Sequence, residues 1–271
     1  MAIPLEDNVG DIIGKAQRGL GISDSQLAEK SGAKSEQIRA AREGRIDNDS
    51  IRRIAPVLRL DAQALLDLAQ ESWRPEEIAV GGLAQFTTPY HDITVNAYLV
   101  WDPESREAVA FDTGADCGDM LKRIRGEKLS VKLILLTHAH GDHIADLSRL
   151  QRETKAPVFI SEREPTSGAE TIAEGKQFCV GKLEIESLST WGHSPGGMTY
   201  VVRGLTKPIA VVGDSLFAGS MGGGNVSYHD AVKNNLEKIL TLPNETIICP
   251  GHGPMTTVGE EKKHNPFFSG A

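Results

Sequence analysis

Apolar positions along this chain follow two spacings, and the change falls near residue 70. Before it the spacing is helical. Val9, Ile12, Ile13 and Ala16 share one helix face, Leu27 and Ala28 mark a second helix ending at Ser31-Gly32, Ile38 and Ala41 a third closed by Gly44, and Ile51, Ile54, Ala55 and Leu58 a fourth. The polar residues at their starts suit N-caps: Ser23 or Asp24, Ser35, Asn48 or Asp49, and Asp61, which opens a fifth helix with Leu60 and Leu65 as a hydrophobic staple. Pro56 should kink or shorten the fourth.

After a linker at 70–77, marked by Trp73 and Pro75, short apolar runs alternate with glycine-rich turns. They predict strands at 78–80, 83–86, 96–100, 108–112, 133–136, 158–160, 176–178, 184–188, 198–202, 209–212 and 246–249, with helices near 116–125, 144–154 and 231–240. The expectation is an α+β chain in two parts, an all-α domain over 1–72 and a layered domain over 73–271.

Composition narrows the class. Of 271 residues 39% are hydrophobic and 24% charged, ordinary globular values, and the net charge of −8 gives no general field for nucleic acid. Cys117, Cys179 and Cys249 are odd in number and form no C-x-x-C pair, so neither a disulfide framework nor a cysteine zinc site is indicated. No apolar run is long enough to span a membrane, and the first residues lack the basic start and apolar core of a signal peptide. These features predict a cytoplasmic, unprocessed protein with no membrane partner.

The helical part resembles the helix-turn-helix domain of Cro and repressor-type regulators, on Gln26-Leu27-Ala28-Glu29-Lys30-Ser31-Gly32, Ser35-Glu36-Gln37-Ile38, Ala41-Arg42-Glu43-Gly44-Arg45 and the run 51–60. The resemblance implies a third helix that would present Lys34, Glu36, Gln37, Arg39 and Arg42 to DNA. Residues 1–72 carry 10 Lys and Arg against 12 Asp and Glu, a net of −2, where phosphate contacts leave a basic footprint. Two readings therefore stay open: a DNA-binding module, or a helical appendage used for dimerisation, as in a homodimer, or for covering an active site.

Chemistry concentrates after the strand at 133–136. Thr137-His138-Ala139-His140-Gly141-Asp142-His143 places three histidines and an aspartate within six positions, donors that suit zinc, iron or manganese. Three later strands also end in glycine-flanked donors: Gly192-His193-Ser194-Pro195-Gly196, Gly213-Asp214-Ser215-Leu216-Phe217 and Pro250-Gly251-His252-Gly253.

This motif set resembles the metallo-β-lactamase fold superfamily over about residues 78–268, and within it the glyoxalase II-like branch. The resemblance implies an αββα sandwich with two divalent metals between the sheets, zinc before iron or manganese. His138, His140 and His193 would hold one metal, Asp142, His143 and His252 the other, and Asp214 would bridge them. A hydroxide shared by two such ions would attack a thioester, ester or lactone, with Asp142 orienting it or taking its proton.

The substrate is less defined. Where many glyoxalase II-like relatives continue with Gly-Arg-Thr-Asp, residues 221–230 read Met-Gly-Gly-Gly-Asn-Val-Ser-Tyr-His-Asp, and no arginine is present. Tyr228 and His229 are candidate pocket residues for a small-molecule substrate, and Lys262 and Lys263 candidate contacts to an anionic one. Two alternatives remain. One is a persulfide dioxygenase-like enzyme with a single iron; the other is a DNA-binding regulator whose metallo-domain senses a metabolite.

Overall fold

The computed structural model describes residues 3–269. Five helices come first: α1 (Val9–Gly19), α2 (Asp24–Ser31), α3 (Ser35–Arg42), α4 (Asn48–Val57) and α5 (Ala62–Ala69). Asn8 and Asp11 form a capping box at α1, and Ser23 and Gln26 form another at α2, which stops at Gly32 in the left-handed region. Two caps lie one residue before the expected positions. Lys34 precedes α3, and Asp47 caps α4 because its carboxylate reaches the Ser50 amide. Pro56 shortens α4 rather than kinking it, falling in the last turn, where the helix ends at Val57.

The layered part comprises β1 (Leu83–Tyr90), β2 (Ile93–Trp101), β3 (Glu107–Phe111), α6 (Gly118–Gly126), β4 (Ser130–Leu135), α7 (Gly141–Ile144), α8 (Leu147–Thr154), β5 (Val158–Ser161) and β6 (Glu170–Ile172). Then follow β7 (Gln177–Val180), β8 (Leu183–Ser189), β9 (Met198–Arg203), β10 (Ile209–Gly213), α9 (Tyr228–Asn234), a π-helical stretch Asn235–Ile239, β11 (Ile247–Pro250), β12 (Thr256–Thr257) and α10 (Val258–His264). Residues 78–80, expected as a strand, form none. Strands β6 and β12 are only three and two residues long, too short for an alternating pattern to register.

Two six-stranded sheets result, ordered β1-β2-β3-β4-β5-β6 and β12-β11-β10-β9-β8-β7. Alternation along the strands decides the layering. On β2, Ala97, Leu99 and Trp101 face a core shared with Met120, Leu121 and Leu150 of α6 and α8, while Tyr98 and Val100 face Tyr200, Val202 and Ile247 of the opposite sheet. The outer face of the second sheet packs Ala210, Val212 and Ile248 against Ala231, Ile239 and Val258. The fold is a mixed α and β sandwich with helices outside both sheets. Among the described residues no helix is long and apolar enough to cross a membrane.

The five helices have their own core of Ile12, Ile13, Leu27, Ile38, Ile51, Ile54 and Leu65, yet the tail of the chain joins it. Phe267 packs on it, the Asp61 amide donates to the Pro266 carbonyl at 2.8 Å, and Trp73 donates to Glu260 at 2.8 Å while stacking on His264. The expected linker is thus anchored rather than free.

Glu261 on α10 ties this seam to the sheet. Fully buried, its carboxylate receives the Thr256 hydroxyl (2.8 Å), the Gly219 amide (3.0 Å) and the Asn265 side chain (2.7 Å). Burial pushes its carboxyl up to about 7 despite these donors. Because the folded value lies above the unfolded one, the folded state holds the proton more tightly, and stability declines as pH rises through about 7. Glu261→Gln can keep all three partners, since the Thr256 hydroxyl can reverse. Its stability relative to wild type, read from melting temperatures, should therefore rise between pH 5 and pH 8, by up to about 3 kcal/mol; a gap independent of pH would refute the assignment.

Candidate metal centre

Parallel strand ends bring the donors together. In the first sheet β3 and β4 run parallel, and in the second β10 runs parallel to β11. Strand β8 shares their direction, since both it and β10 are antiparallel to β9. Each carboxyl end delivers one motif: β4 leads to His138, His140, Asp142 and His143, β8 to His193, β10 to Asp214 and β11 to His252. Tertiary hydrogen bonds set the ends in place. The Tyr200 hydroxyl donates to the Leu136 carbonyl (2.9 Å), Tyr98 donates to Pro250 (2.8 Å), and Asn96 donates to the carbonyls of Pro250 (3.0 Å) and Gly253 (2.8 Å).

All seven predicted donors meet. Ligand atoms of His138, His140, His193 and Asp214 lie within 4.8 Å of one another, as do those of Asp142, His143 and His252. Asp214 joins the two sets, with Oδ2 3.3 Å from His193 Nε2 and 3.4 Å from His252 Nε2, and Oδ1 3.2 Å from His143 Nε2. Asp142 Oδ2 stands 3.4 Å from His252 Nε2 and 3.6 Å from His143 Nε2.

The outer ring nitrogens show what these atoms await. His143 Nδ1 bonds Asp112 (2.8 Å), His193 Nδ1 the Gly223 carbonyl (3.0 Å) and His252 Nδ1 the Thr94 carbonyl (2.6 Å); all three partners can only accept. Thr137 gives its hydroxyl proton to Asp112 (2.7 Å) and so accepts from His138 Nδ1 (3.0 Å). Each Nδ1 then carries a proton, and each Nε2 faces inward, free to take a proton or a metal ion. His140 turns the other way, its Nδ1 lying 3.0 Å from His138 Nε2 and 3.1 Å from His193 Nε2. Lone pairs converging on a buried carboxylate repel unless a cation joins them, and His143 Nε2 and Asp214 Oδ1 are buried with no hydrogen-bond partner. The donor set fits two divalent ions.

Electrostatics agree. Burial raises the Asp214 carboxyl, but His143 and His252 outweigh it and hold the group well below the usual carboxylate range. Burial lowers His143 and His252, yet Asp214, joined by Asp112 at His143 and by Asp142 at His252, lifts them to about 10 and about 11. His138 and His193 are pushed down, by burial first. At neutral pH a metal at the second donor set therefore displaces protons.

A metallo-beta-lactamase superfamily family model matches residues 92–252. The chain belongs to this superfamily. This superfamily chain is 32% identical over 208 residues to the probable metallo-hydrolase YqgX of Bacillus subtilis (strain 168), a match spanning 67% of this chain and 96% of the relative. It is 28% identical over 199 residues to the hydroxyacylglutathione hydrolase GloC of Haemophilus influenzae, spanning 64% and 92%. Among solved structures, TTHA1623 in a di-iron-bound form superposes with a TM-score of 0.55 at 28% identity, covering 67% of this chain and 99% of that one. The family match begins after α5.

Other expected site residues are spread out. Tyr228 lies at a seam, where a Cβ on Gly19 of α1 would stand 2.2 Å from its ring. The His229 side chain is 86% exposed. Lys262 bonds Asn244 (3.1 Å), which precedes β11 at the end opposite His252, and Lys263 follows it on α10. Lys34, just before α3, and Arg39 on it are exposed, Arg42 pairs with Asp24 at 2.8 Å, and half-buried Gln37 accepts from the Lys34 amide while donating to Asp47.

Sequence reading missed the supporting residues. Asp112, left-handed at φ 55°, also receives the Thr137 amide (2.7 Å). Glu164 accepts from the amides of Ala139 (3.3 Å) and Gly196 (3.0 Å), linking two ligand loops. For Asp112 a signal existed, an acid ending an apolar strand before Thr113-Gly114; for Glu164 none did.

Asp112→Asn removes the acceptor for His143 or Thr137 and should weaken metal binding by about 10- to 100-fold in a chelator competition titration. In wild type, retention should also fall on acidification, because His143 and His252 then keep their protons. Unchanged affinity in the variant would contradict the orienting role.

Proposed function

We propose that the protein is a metal-dependent hydrolase of thioesters, esters or lactones, glyoxalase II-like in its chemistry. One observation carries this reading: two donor sets of at least three side chains each share the single carboxylate of Asp214. Two divalent ions held there supply an activated water and a Lewis acid for the substrate carbonyl. Zinc is the first candidate, and the di-iron form of TTHA1623 supports iron as an alternative. The printed name of the Haemophilus influenzae relative, a hydroxyacylglutathione hydrolase, supports an acyl substrate.

The residues divide the work. His138, His140 and His193 hold one position and Asp142, His143 and His252 the other, with Asp214 between them. Asp142 Oδ2, on the His252 side, orients water and accepts its proton as oxygen adds to the carbonyl carbon. The carbon–sulfur or carbon–oxygen bond then breaks and the leaving group departs as thiolate or alkoxide, so no serine or cysteine nucleophile is needed. Cys249 is buried, and burial alone lifts its thiol far above the range of a nucleophile.

Metal analysis with a hydrolysis panel tests this. We expect about two metals per chain, turnover of at least one thioester, ester or lactone, and a loss of about 10³-fold or more in His140→Ala or Asp214→Ala. One metal per chain, with oxygen consumption and no hydrolysis, would replace this reading with a single-iron oxygenase.

A DNA-binding role for the helical part rests on exposed Lys34 and Arg39. Under it, Arg39→Ala should weaken salt-sensitive DNA binding in a fluorescence anisotropy titration. Absence of binding at low salt would leave the helices to the catalytic domain.

A further inference from the structure

The N-terminal arm, residues 3–8, is pinned beside the metal centre. Asp7 accepts the Ser220 hydroxyl and pairs with Lys15 of α1, whose ammonium also donates to the Met221 carbonyl at 2.9 Å. The Asp7 and Lys15 side chains are only 8% and 15% exposed. Ser220 and Met221 belong to the loop that starts at Asp214 and whose Gly223 carbonyl holds His193. The backbone of residue 6 packs on Gly253, directly after His252, where a Cβ would stand 3.2 Å from the Glu6 nitrogen and 3.6 Å from its Cβ. Lys15 lies 5.1 Å from the centre of the Phe217 ring, which meets the His252 ring edge-on at 5.6 Å.

Glu6 is thereby held beside Gly253, one residue from the metal donor His252. Burial raises its carboxyl, an effect that His252 and Lys15 oppose and Asp7 and Asp214 reinforce. Asp7 and Lys15 cancel each other, so the arm presents the single negative charge of Glu6. Among the described residues this half-buried side chain has no hydrogen bond or ion pair, and its oxygens are not sealed from solvent. A cavity of about 410 Å³ reaches the neighbouring residues Leu5 and Pro254, its other walls including apolar Ile78 and Met255 and charged Arg74, Glu76 and Glu77. A half-buried carboxylate with no protein partner among the described residues favours a donor or cation in the ligand and repels an anion.

We propose that Glu6 is a specificity-determining residue of the metal cleft, selecting substrates that place an ammonium or other hydrogen-bond donor beside His252 and rejecting those that place a carboxylate there. This rests on the hydrolase reading above and narrows its substrate class. It also gives the helical part a role at the active site, since the arm is held by α1.

Two measurements on the full chain test it. The first is turnover of thioesters varied in charge on the acyl half (β-alanyl, butyryl, succinyl) and on the thiol half (cysteamine, ethanethiol, 3-mercaptopropionate). The second needs no turnover: binding of the same three thiols to cobalt-substituted protein, read from the thiolate–cobalt absorption band. Wild type should prefer the ammonium member over the carboxylate member by about tenfold or more, Glu6→Gln should reduce that ratio to near unity, and Glu6→Lys should invert it. Metal content should stay at the wild-type value in both variants. Charge discrimination in thiol binding that Glu6→Gln removes, with no thioester, ester or lactone turned over, would keep Glu6 and sink the hydrolase reading. Turnover with the same charge preference in wild type and Glu6→Gln would sink the role of Glu6 and keep the hydrolase.

Discussion

A buried carboxylate surrounded by imidazole lone pairs is a costly arrangement, and the rest of this molecule is organised around it. With the outer nitrogens of His143, His193 and His252 turned to Asp112, Gly223 and Thr94, the inner nitrogens of His143 and His252 can meet Asp214 in mutual attraction only by holding a proton or a metal ion. A metal ion at these positions takes the place of those protons. The supporting shell is correspondingly rigid. Asp112 serves His143 and Thr137 at once, Thr137 fixes His138, and Glu164 links two ligand loops.

The sandwich supplies this rigidity through direction. Four ligand-bearing strand ends fall at one edge because β3 and β4, and β8, β10 and β11, share directions within their sheets. Tyr98 and Tyr200, buried between the sheets, each spend a hydroxyl on the backbone next to a ligand loop. Packing between the sheets and positioning of the metal site are therefore the same set of contacts.

The five helices are joined to this edge rather than tethered to it. Lys15 and Asp7 grip the loop after Asp214, Gly19 lets α1 approach Tyr228, and Leu68 and Trp73 pack on Gly219. Glycine at 19 and 219 allows contacts that a side chain would block, and Gly219 also has a positive φ. A movement of α1 would have to be felt at the loop that carries Asp214 and supports His193.

Much of this was legible in the chain itself. Helical spacing and caps set α1–α5 to within a residue or two, because caps act over three positions, and apolar runs located the longer strands. The seven metal donors were legible because ligand types at glycine-flanked strand ends have few other uses. Strands β6 and β12 were not, being too short to carry a period, and 78–80 was apolar without finding a strand partner. What only the tertiary structure decided lies between distant segments: that Asp112 orients His143, that Glu164 bridges two loops, that Tyr228 sits at a seam, and that Glu6 rests on Gly253. Spacing encodes which residues share a face, but a residue 31 or 247 positions from its neighbour meets it only when the chain closes up, and no local pattern records that meeting.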